Sequence, residues 1–212
     1  MSFRSNLLVF SLLFSASASA FAEEGFTDLI EKGALEKTWT TKGNWKLDEE
    51  GVITLVPRKG ESGWSRWDAY LWANKTYTNF EVEFEYKPQK GSNSGFYFRV
   101  ADKNDPVAKG IEVQIYDSGS KGPDAKLTDH DSGGIIPGKA PTKNAAKATG
   151  EWSKFQITVK EDKLTVKLNG ETVNEADLTK APYSSRPATG SIGFQDHALP
   201  LALRNIRIKE LK

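Results

Sequence analysis

Cysteine is absent from the 212 residues, and histidine occurs only twice. The absence of thiols excludes cysteine nucleophiles, zinc-thiolate centres and disulfide cross-links. An exported chain without disulfides must be stabilised by its core, which fits a bacterial periplasm or cell surface better than a small secreted scaffold. With so few histidines, each one is a candidate for acid-base chemistry.

Net charge and long apolar runs are also scarce. The formal net charge is +1, from 29 Lys and Arg against 28 Asp and Glu. This balance lacks the basic footprint of a nucleic-acid binder, so we expect no nucleic-acid partner. The apolar run at residues 7–14 follows Arg4 and precedes Ala20-Phe21-Ala22, an arrangement typical of a secretory signal peptide. It is too short for a membrane span, so none is expected.

These features predict a simple organisation. We expect a signal peptide at residues 1–22, cleaved near Ala22, with cleavage after Ala20 as the alternative. Residues 23–212 then form a single domain, because they contain no repeat or linker and suit one large β-sandwich in length. The expected location is periplasmic or secreted. Nothing in the sequence indicates a protein partner.

Strand-like alternation dominates the remaining sequence. Residues 80–87 read Phe-Glu-Val-Glu-Phe-Glu-Tyr-Lys, and residues 155–159 show the same period of two, which is typical of antiparallel strands with one wet face. Asn169-Gly170 predicts a tight hairpin between two such runs. Helical turns are expected only at residues 27–32 and 176–180. Many short strands without a long helix predict an all-β sandwich of two antiparallel sheets.

Two of these strands carry polar side chains suited to chemistry. They read Gly-Ile-Glu112-Val-Gln114-Ile-Tyr-Asp and Ser-Ile-Gly-Phe-Gln195-Asp-His197. A period of two places Glu112 and Gln114 on one side of the first strand, and Gln195 and His197 on one side of the second. An acid, two amides and an imidazole can hold hydroxyl groups and move protons. The pattern predicts a polar ligand on the face of the sandwich.

Simpler interpretations exist for the same residues. Glu112 and Gln114 could be solvated positions on an outer face, and His197 could cap a turn. His130 lies in a turn-forming run, Asp-His-Asp-Ser-Gly-Gly. Tyr97 and Arg99 favour a site, because they should share the face of Glu112 if the two strands belong to one sheet.

Glu112-Val-Gln114-Ile-Tyr-Asp117 has the spacing of the E-x-D-x-x-E strand found in laminarinase-type glycoside hydrolases, which are also β-sandwiches. Here Gln114 replaces the central acid and Asp117 replaces the last Glu. A retaining glycosidase needs two carboxyl groups about 5 Å apart. Asp117 is five residues from Glu112 and would point to the opposite face unless a bulge intervenes. This departure argues against a double-carboxylate mechanism.

Ten segments in order, over nearly all of residues 25–209, resemble the 3-keto-disaccharide hydrolase family. They include Gly25-Phe26-Thr27-Asp28-Leu29, Gly91-Ser92-Asn93-Ser94-Gly95, Gly110-Ile111-Glu112-Val113-Gln114, His130-Asp131-Ser132-Gly133-Gly134 and Gly193-Phe194-Gln195-Asp196-His197. The resemblance implies a concanavalin-like jelly roll that cleaves sugars oxidised to a ketone at carbon 3. The chain departs from the family pattern at Ile136, where an aromatic residue is often found, and at Ala198.

The resemblance implies an exported enzyme that cleaves 3-keto-glycosides by elimination and hydration. The ketone acidifies the hydrogen on carbon 2, so one base, one acid and donors for the enolate oxygen suffice. Glu112 and His197 are the expected catalytic pair, with either as the base. The residues expected to bind substrate are Asn93, Tyr97, Arg99, Gln114, His130, Gln195 and Asp196.

Three points stay open at this stage. The alternative function is a non-catalytic carbohydrate-binding sandwich that uses the same face. No cofactor is expected, although a divalent metal held by Glu112 with a histidine would also stabilise an enolate. Trp64, Trp67 and Trp72 cannot all point to the same side of a strand, because side chains alternate with a period of two. At least one should therefore stand at the rim of the sheet, where it could stack on a sugar.

Overall fold

A computed structural model describes residues 25–31, 33–122 and 125–212. The predicted signal peptide lies outside the described residues. Within these ranges, no helix is long and apolar enough to cross a membrane. The helical turn predicted from residue 27 is wrong at its start, because Thr27–Asp28 forms a strand. The one predicted at residues 176–180 is instead the end of a strand and a turn closed by Lys180 N–H on the Asp177 carbonyl.

Short strands are the main regular secondary structure of the described chain. The strands are β1 (Thr27–Asp28), β2 (Trp39–Thr40), β3 (Trp45–Leu47), β4 (Ile53–Leu55), β5 (Leu71–Tyr77), β6 (Phe80–Pro88), β7 (Asn93–Val100), β8 (Ile111–Tyr116), β9 (Ile135–Ile136), β10 (Ser153–Lys160), β11 (Lys163–Leu168), β12 (Glu171–Asp177), β13 (Gly190–Phe194) and β14 (Leu201–Glu210). The helices are α1 (Leu35–Thr38) and α2 (Pro106–Lys109), with 3₁₀ turns at Trp67–Ala69 and Ser118–Ser120.

The strands form two antiparallel sheets, as predicted. The first sheet has the order β12-β11-β10-β6-β14-β4-β3, with β1 paired to β14. The second has the order β2-β5-β13-β7-β8-β9. The predicted hairpin joins β11 to β12, where Asn169 and Gly170 both have positive φ angles, 51° and 84°. Such a pair of angles suits a two-residue turn, which explains the Asn-Gly sequence.

The core lies between the two sheets and follows directly from the alternation. In β6 the buried residues Phe84 and Val82 pair with Phe155 and Ile157 of β10. The opposite face of β6 carries Glu81, Glu83 and Glu85. Full burial of each large apolar side chain stabilises the fold by about 1.5–3 kcal/mol.

The second sheet packs apolar side chains on both faces, and the outer ones lie beside the polar residues of the site. Its inner face supplies Phe96, Val113 and Phe194 to the main core. Its outer face carries a separate buried cluster of Tyr70, Trp72, Tyr97 and Val100. This outer aromatic cluster provides a rigid floor beside the polar residues of β8 and β13.

A bulge in β7 overturns the prediction for Arg99. Ser191 pairs with Val100 and Gly193 with Tyr97, so the one residue between them on β13 faces two on β7. Arg99 lies in this bulge with a φ of 52°, and the extra residue breaks the alternation. Its guanidinium Nη2 donates to the Glu161 carbonyl (2.5 Å) and Nη1 lies 3.4 Å from Asp162. Arg99 therefore links the two sheets and does not share the face of Glu112.

Candidate active site

A cleft of about 280 Å³ opens on the outer face of the second sheet. Its lining residues come from β7, β8, β9, helix α2, the segment that follows β13 and two loops. They are Trp64, Asn93, Tyr97, Val107, Glu112, Gln114, His130, Ile136, Gln195 and His197. The volume lies near the lower end of ligand pockets, which span about 300–1,000 Å³. The cleft brings together all of the predicted site residues except Arg99 and Asp196.

Glu112 is the buried acid of the cleft, with only 5% of its surface exposed. Its strand neighbours are Tyr97 on β7 and Ile136 on β9. The Tyr97 hydroxyl donates to Glu112 Oε2 at 2.7 Å. Gln114 donates to Oε1 at 3.1 Å when its amide nitrogen points toward Glu112, the orientation that also satisfies the Ser94 carbonyl. Both carboxylate oxygens therefore have a neutral donor.

Gly95 makes room for this carboxylate. A Cβ atom at Gly95 would lie 1.9 Å from Glu112 Oε1 and 2.6 Å from its carboxyl carbon, far inside van der Waals contact. The Glu112 side chain therefore lies across the bare backbone of β7. A glycine inside a strand often marks such a close approach.

Burial gives Glu112 an unusual acidity. Loss of water is the main reason that the pKa of Glu112 is raised to about 7; the Tyr97 hydrogen bond opposes the shift, and the nearby Asp129 carboxylate adds to it. Burial and the Glu112 charge also raise the pKa of Tyr97, so the phenol stays a donor. A carboxyl group that titrates near neutrality can both take and return a proton.

Both histidines line the cleft, in different settings. His197 is half-buried in the segment after β13. His130 lies in the loop before β9, and its Nδ1 is 2.9 Å from Asp129 Oδ1. Asp129 was not among the predicted site residues. Its adjacency to His130 was visible in the sequence, but the bond that Asp129 accepts from the Gly138 N–H, nine residues away, was not.

Gln195 anchors the aromatic side of the cleft. Its Nε2 donates to the Tyr70 hydroxyl at 2.9 Å, and Tyr70 donates to the Trp64 carbonyl at 2.9 Å. Trp64 keeps 48% of its surface exposed and packs against Trp67 with ring centroids 5.2 Å apart. Trp64 is thus the rim tryptophan expected from the sequence, whereas Tyr70 had no signal beyond its aromatic neighbours.

Asp196 does not line the cleft, although it was predicted to bind substrate. It is fully buried, and its Oδ1 accepts from Arg66 at 2.9 Å and from the Ala198 N–H at 2.7 Å. Arg66 also pairs with Glu61 at 2.6 Å. The chain after β13 leaves the sheet and turns Asp196 away from the face of Gln195. Its ion pair with Arg66 links the segment after β13 to the segment that carries Trp64.

Asp117 is also absent from the cleft. Its carboxylate accepts from Thr149 (2.6 Å) and from the Gly91 N–H (3.0 Å). Among the described residues that line the cleft, Glu112 is therefore the sole carboxylate, which argues against the laminarinase-type alternative. No group of three His, Asp or Glu side chains in the described ranges forms a metal-binding cluster.

Comparisons with known proteins place this geometry in context. A sequence model described as a 3-keto-alpha-glucoside-1,2-lyase-like domain matches residues 25–209. The chain is 30% identical to a 3-keto-disaccharide hydrolase of Bacteroides thetaiotaomicron, over 78% of this chain and 80% of that protein.

Solved structures agree on the fold. A candidate glycosyl hydrolase from Parabacteroides distasonis superposes with a TM-score of 0.72 at 25% identity, covering 88% of this chain and 99% of that one. A Bacillus licheniformis β-glucanase superposes with a TM-score of 0.52 at 12% identity, covering 82% and 87%. These likenesses confirm the predicted jelly-roll sandwich.

Proposed function

The chain belongs to the family of 3-keto-alpha-glucoside-1,2-lyase-like domains, and from this premise we propose that it is a carbohydrate-active enzyme that cleaves 3-keto-glycosides. The observation that carries the proposal is Glu112: one buried carboxyl group, with a pKa near 7, in a cleft otherwise lined by uncharged donors, imidazoles and apolar side chains. Conventional glycoside hydrolysis needs two carboxyl groups. Elimination beside a ketone needs only one base.

Glu112 acts first in the proposed reaction. A ketone at carbon 3 acidifies the hydrogen on carbon 2, and the Glu112 carboxylate removes it. The electron pair of that bond is delocalised into the ketone as an enolate, and the side chain of Asn93, which lines the same cleft, stabilises the new charge. The sheet holds these groups rigidly, which limits the reorganisation needed during the reaction.

Loss of the leaving group follows. The enolate pair forms a double bond between carbons 1 and 2, the bond from carbon 1 to the glycosidic oxygen breaks, and that oxygen takes a proton from a histidine. Both His197, the residue expected from the sequence, and His130 line the cleft. Water then adds its hydroxyl group to carbon 1 and gives its other proton to the histidine, while Glu112 returns a proton to carbon 2. The sum is hydrolysis.

The rim of the cleft suits the leaving group. Trp64 and Val107 are two large apolar side chains that stay exposed, and both line the cleft. A ring with an apolar face gains contact with an exposed indole. Because Glu112 lies at the buried end, the sugar being cleaved occupies the polar interior and its substituent lies against the rim.

The test compares 4-nitrophenyl 3-keto-α-glucoside with its unoxidised parent. We expect the purified protein to release 4-nitrophenol from the keto sugar alone, since the parent has no acidic hydrogen on carbon 2. Equal release from both sugars, or none from the keto sugar, would overturn the proposal. Binding of both without cleavage would instead support the carbohydrate-binding alternative.

A parallel arm with EDTA tests the metal alternative. The proposed steps use only side chains of this chain, so we expect the chelator to leave the rate unchanged. Loss of activity that returns with added divalent ions would show that a metal ion stabilises the enolate. Together with the predicted signal peptide, the proposed activity would operate in the periplasm or outside the cell.

A further inference from the structure

The loop before β9 presents a carboxylate-imidazole pair at the mouth of the cleft. His130 Nδ1 lies 2.9 Å from Asp129 Oδ1, and the His130 side chain is 68% exposed against 25% for Asp129. Of the two histidines in the chain, His130 is the one with a carboxylate partner in the described ranges. Such a partner fixes the orientation of the imidazole ring.

Asp129 is itself firmly held. Its Oδ2 accepts the Gly138 N–H at 2.9 Å, and Gly138 adopts a φ of 90° in the turn after β9, where a side chain would be strained. Burial opposes ionisation, but the bonds from Gly138 and His130 prevail and lower the pKa of Asp129. The pair is therefore charged on the carboxylate side near neutral pH.

The same loop is tied to the strand of the buried acid. The Gly133 N–H donates to the Gln114 carbonyl at 3.0 Å, and the Gln114 N–H donates to the Gly134 carbonyl at 2.9 Å. Gln114 is two residues from Glu112 on β8. These bonds tie the loop that carries His130 to the strand of the acid, and both residues line the cleft. The contact of Nδ1 with Asp129 leaves Nε2 as the nitrogen available to a substrate.

We propose that His130 is the catalytic acid that protonates the glycosidic oxygen, and that Asp129 is its positioning residue. The assignment rests on the proposed function and refines it. As the bond from carbon 1 to oxygen breaks, the bonding pair leaves with the oxygen, and the proton on His130 Nε2 neutralises it. The neutral imidazole then takes a proton from the water that adds to carbon 1, which restores the imidazolium. His197 contacts the substrate without transferring this proton.

The leaving group supplies a direct test. A general acid matters when the departing oxygen is a poor leaving group and matters little when it is a good one. Methyl 3-keto-α-glucoside releases a poor leaving group, and 4-nitrophenyl 3-keto-α-glucoside releases a good one. The variants are His130→Gln and Asp129→Asn, with His197→Gln as the matched control.

We expect His130→Gln to lower kcat on the methyl substrate by about 100-fold or more, and on the nitrophenyl substrate by less than about tenfold. Asp129→Asn should also lower kcat more on the methyl substrate than on the nitrophenyl substrate, but by smaller factors, and should leave KM nearly unchanged. His197→Gln should affect both substrates equally. A purely structural role cannot produce losses that depend on the leaving group.

Two outcomes would overturn the assignment. One is an equal loss on both substrates in His130→Gln; the other is a leaving-group-dependent loss in His197→Gln. The wild-type arm separates this failure from failure of the proposed function, since wild-type protein that cleaves neither keto substrate would refute the elimination itself and the assignment with it.

Discussion

At the scale of single residues, burial accounts for the chemistry of Glu112 and also destabilises the fold. A carboxylate surrounded by Tyr97, Ile136 and the backbone of Gly95 loses most of its hydration, so its charged form is disfavoured. The fold tolerates this because Tyr97 and Gln114 supply one donor to each oxygen. Active sites often retain such destabilising groups.

The pKa of Glu112 sets the pH dependence of stability. Between pH 4.5 and 7 the folded state binds more protons than the unfolded state, so stability falls as pH rises through that window. Glu112→Gln removes this effect. We expect the variant to be more stable than wild type at pH 8 by on the order of 3 kcal/mol, at about 1.4 kcal/mol per pKa unit, with the difference vanishing near pH 4.

Urea unfolding at the two pH values measures this difference. Glu49→Gln, at an exposed turn position, is the control and should change stability by less than about 0.5 kcal/mol at either pH. A Glu112→Gln variant that is less stable than wild type at pH 8 would show that the ionised carboxylate is stabilised by the fold.

The same pKa sets the pH dependence of catalysis. The base must be ionised, so kcat/KM for a 3-keto-glycoside should fall as pH drops through about 7. A pH-rate profile of the free enzyme between pH 5 and 9 measures this acidic limb. A rate that stays constant down to pH 5 would exclude Glu112 as the base, since at that pH its carboxyl group would be almost fully protonated.

At the scale of elements, the site depends on the alternation of side chains in the second sheet and on two glycines that leave room for neighbouring side chains. β8 projects Glu112 and Gln114 outward while Val113 and Ile115 pack in the core. Gly95 on β7 leaves space for the carboxylate. Gly193 on β13 does the same for Trp72, whose ring lies 2.5 Å from where a Cβ would be. The polar face thus depends on glycines that contribute no functional groups.

Gly95→Ala tests this dependence. The backbone at Gly95 is not in the positive-φ region, so alanine fits the strand, but its Cβ would overlap the Glu112 carboxylate. We expect the variant to fold and to lose about 100-fold or more in kcat on a 3-keto-glycoside, because the base is displaced.

Gly122→Ala is the control for this variant, since nothing lies within 4 Å of its added Cβ and it should retain wild-type activity. Full activity in Gly95→Ala would mean that the position of the Glu112 carboxylate does not matter.

At the scale of the whole molecule, the fold class could be predicted because alternation is a local signal. The runs around Phe84 and Ile157 identify half-buried strands directly. The order of the strands within each sheet could not be predicted. For example, β6 lies between β10 and β14, and these strands are distant from one another in sequence. The resemblance to the family supplied the jelly roll that local patterns leave open.

The candidate site was predictable to the extent that the strands are regular. The alternation of side chains along the strands correctly grouped Glu112 with Gln114 and Gln195 on the outer face. It failed at Arg99, where a bulge breaks the period. Asp196 was expected to bind substrate although the alternation puts it opposite Gln195, and the structure agrees with the alternation. Asp129 was missed because the hydrogen bond that holds it comes from the Gly138 N–H. These residues are nine positions apart and meet only in the folded chain.

The most direct test of the account follows the hydrogen on carbon 2. A 3-keto-glycoside labelled with deuterium at that carbon is cleaved alongside the unlabelled sugar, and NMR records both the rate and the fate of the label. If Glu112 removes this hydrogen, the labelled sugar reacts more slowly or its deuterium passes into water, depending on which step is limiting. Cleavage at the unlabelled rate with deuterium fully retained on carbon 2 would contradict the elimination mechanism.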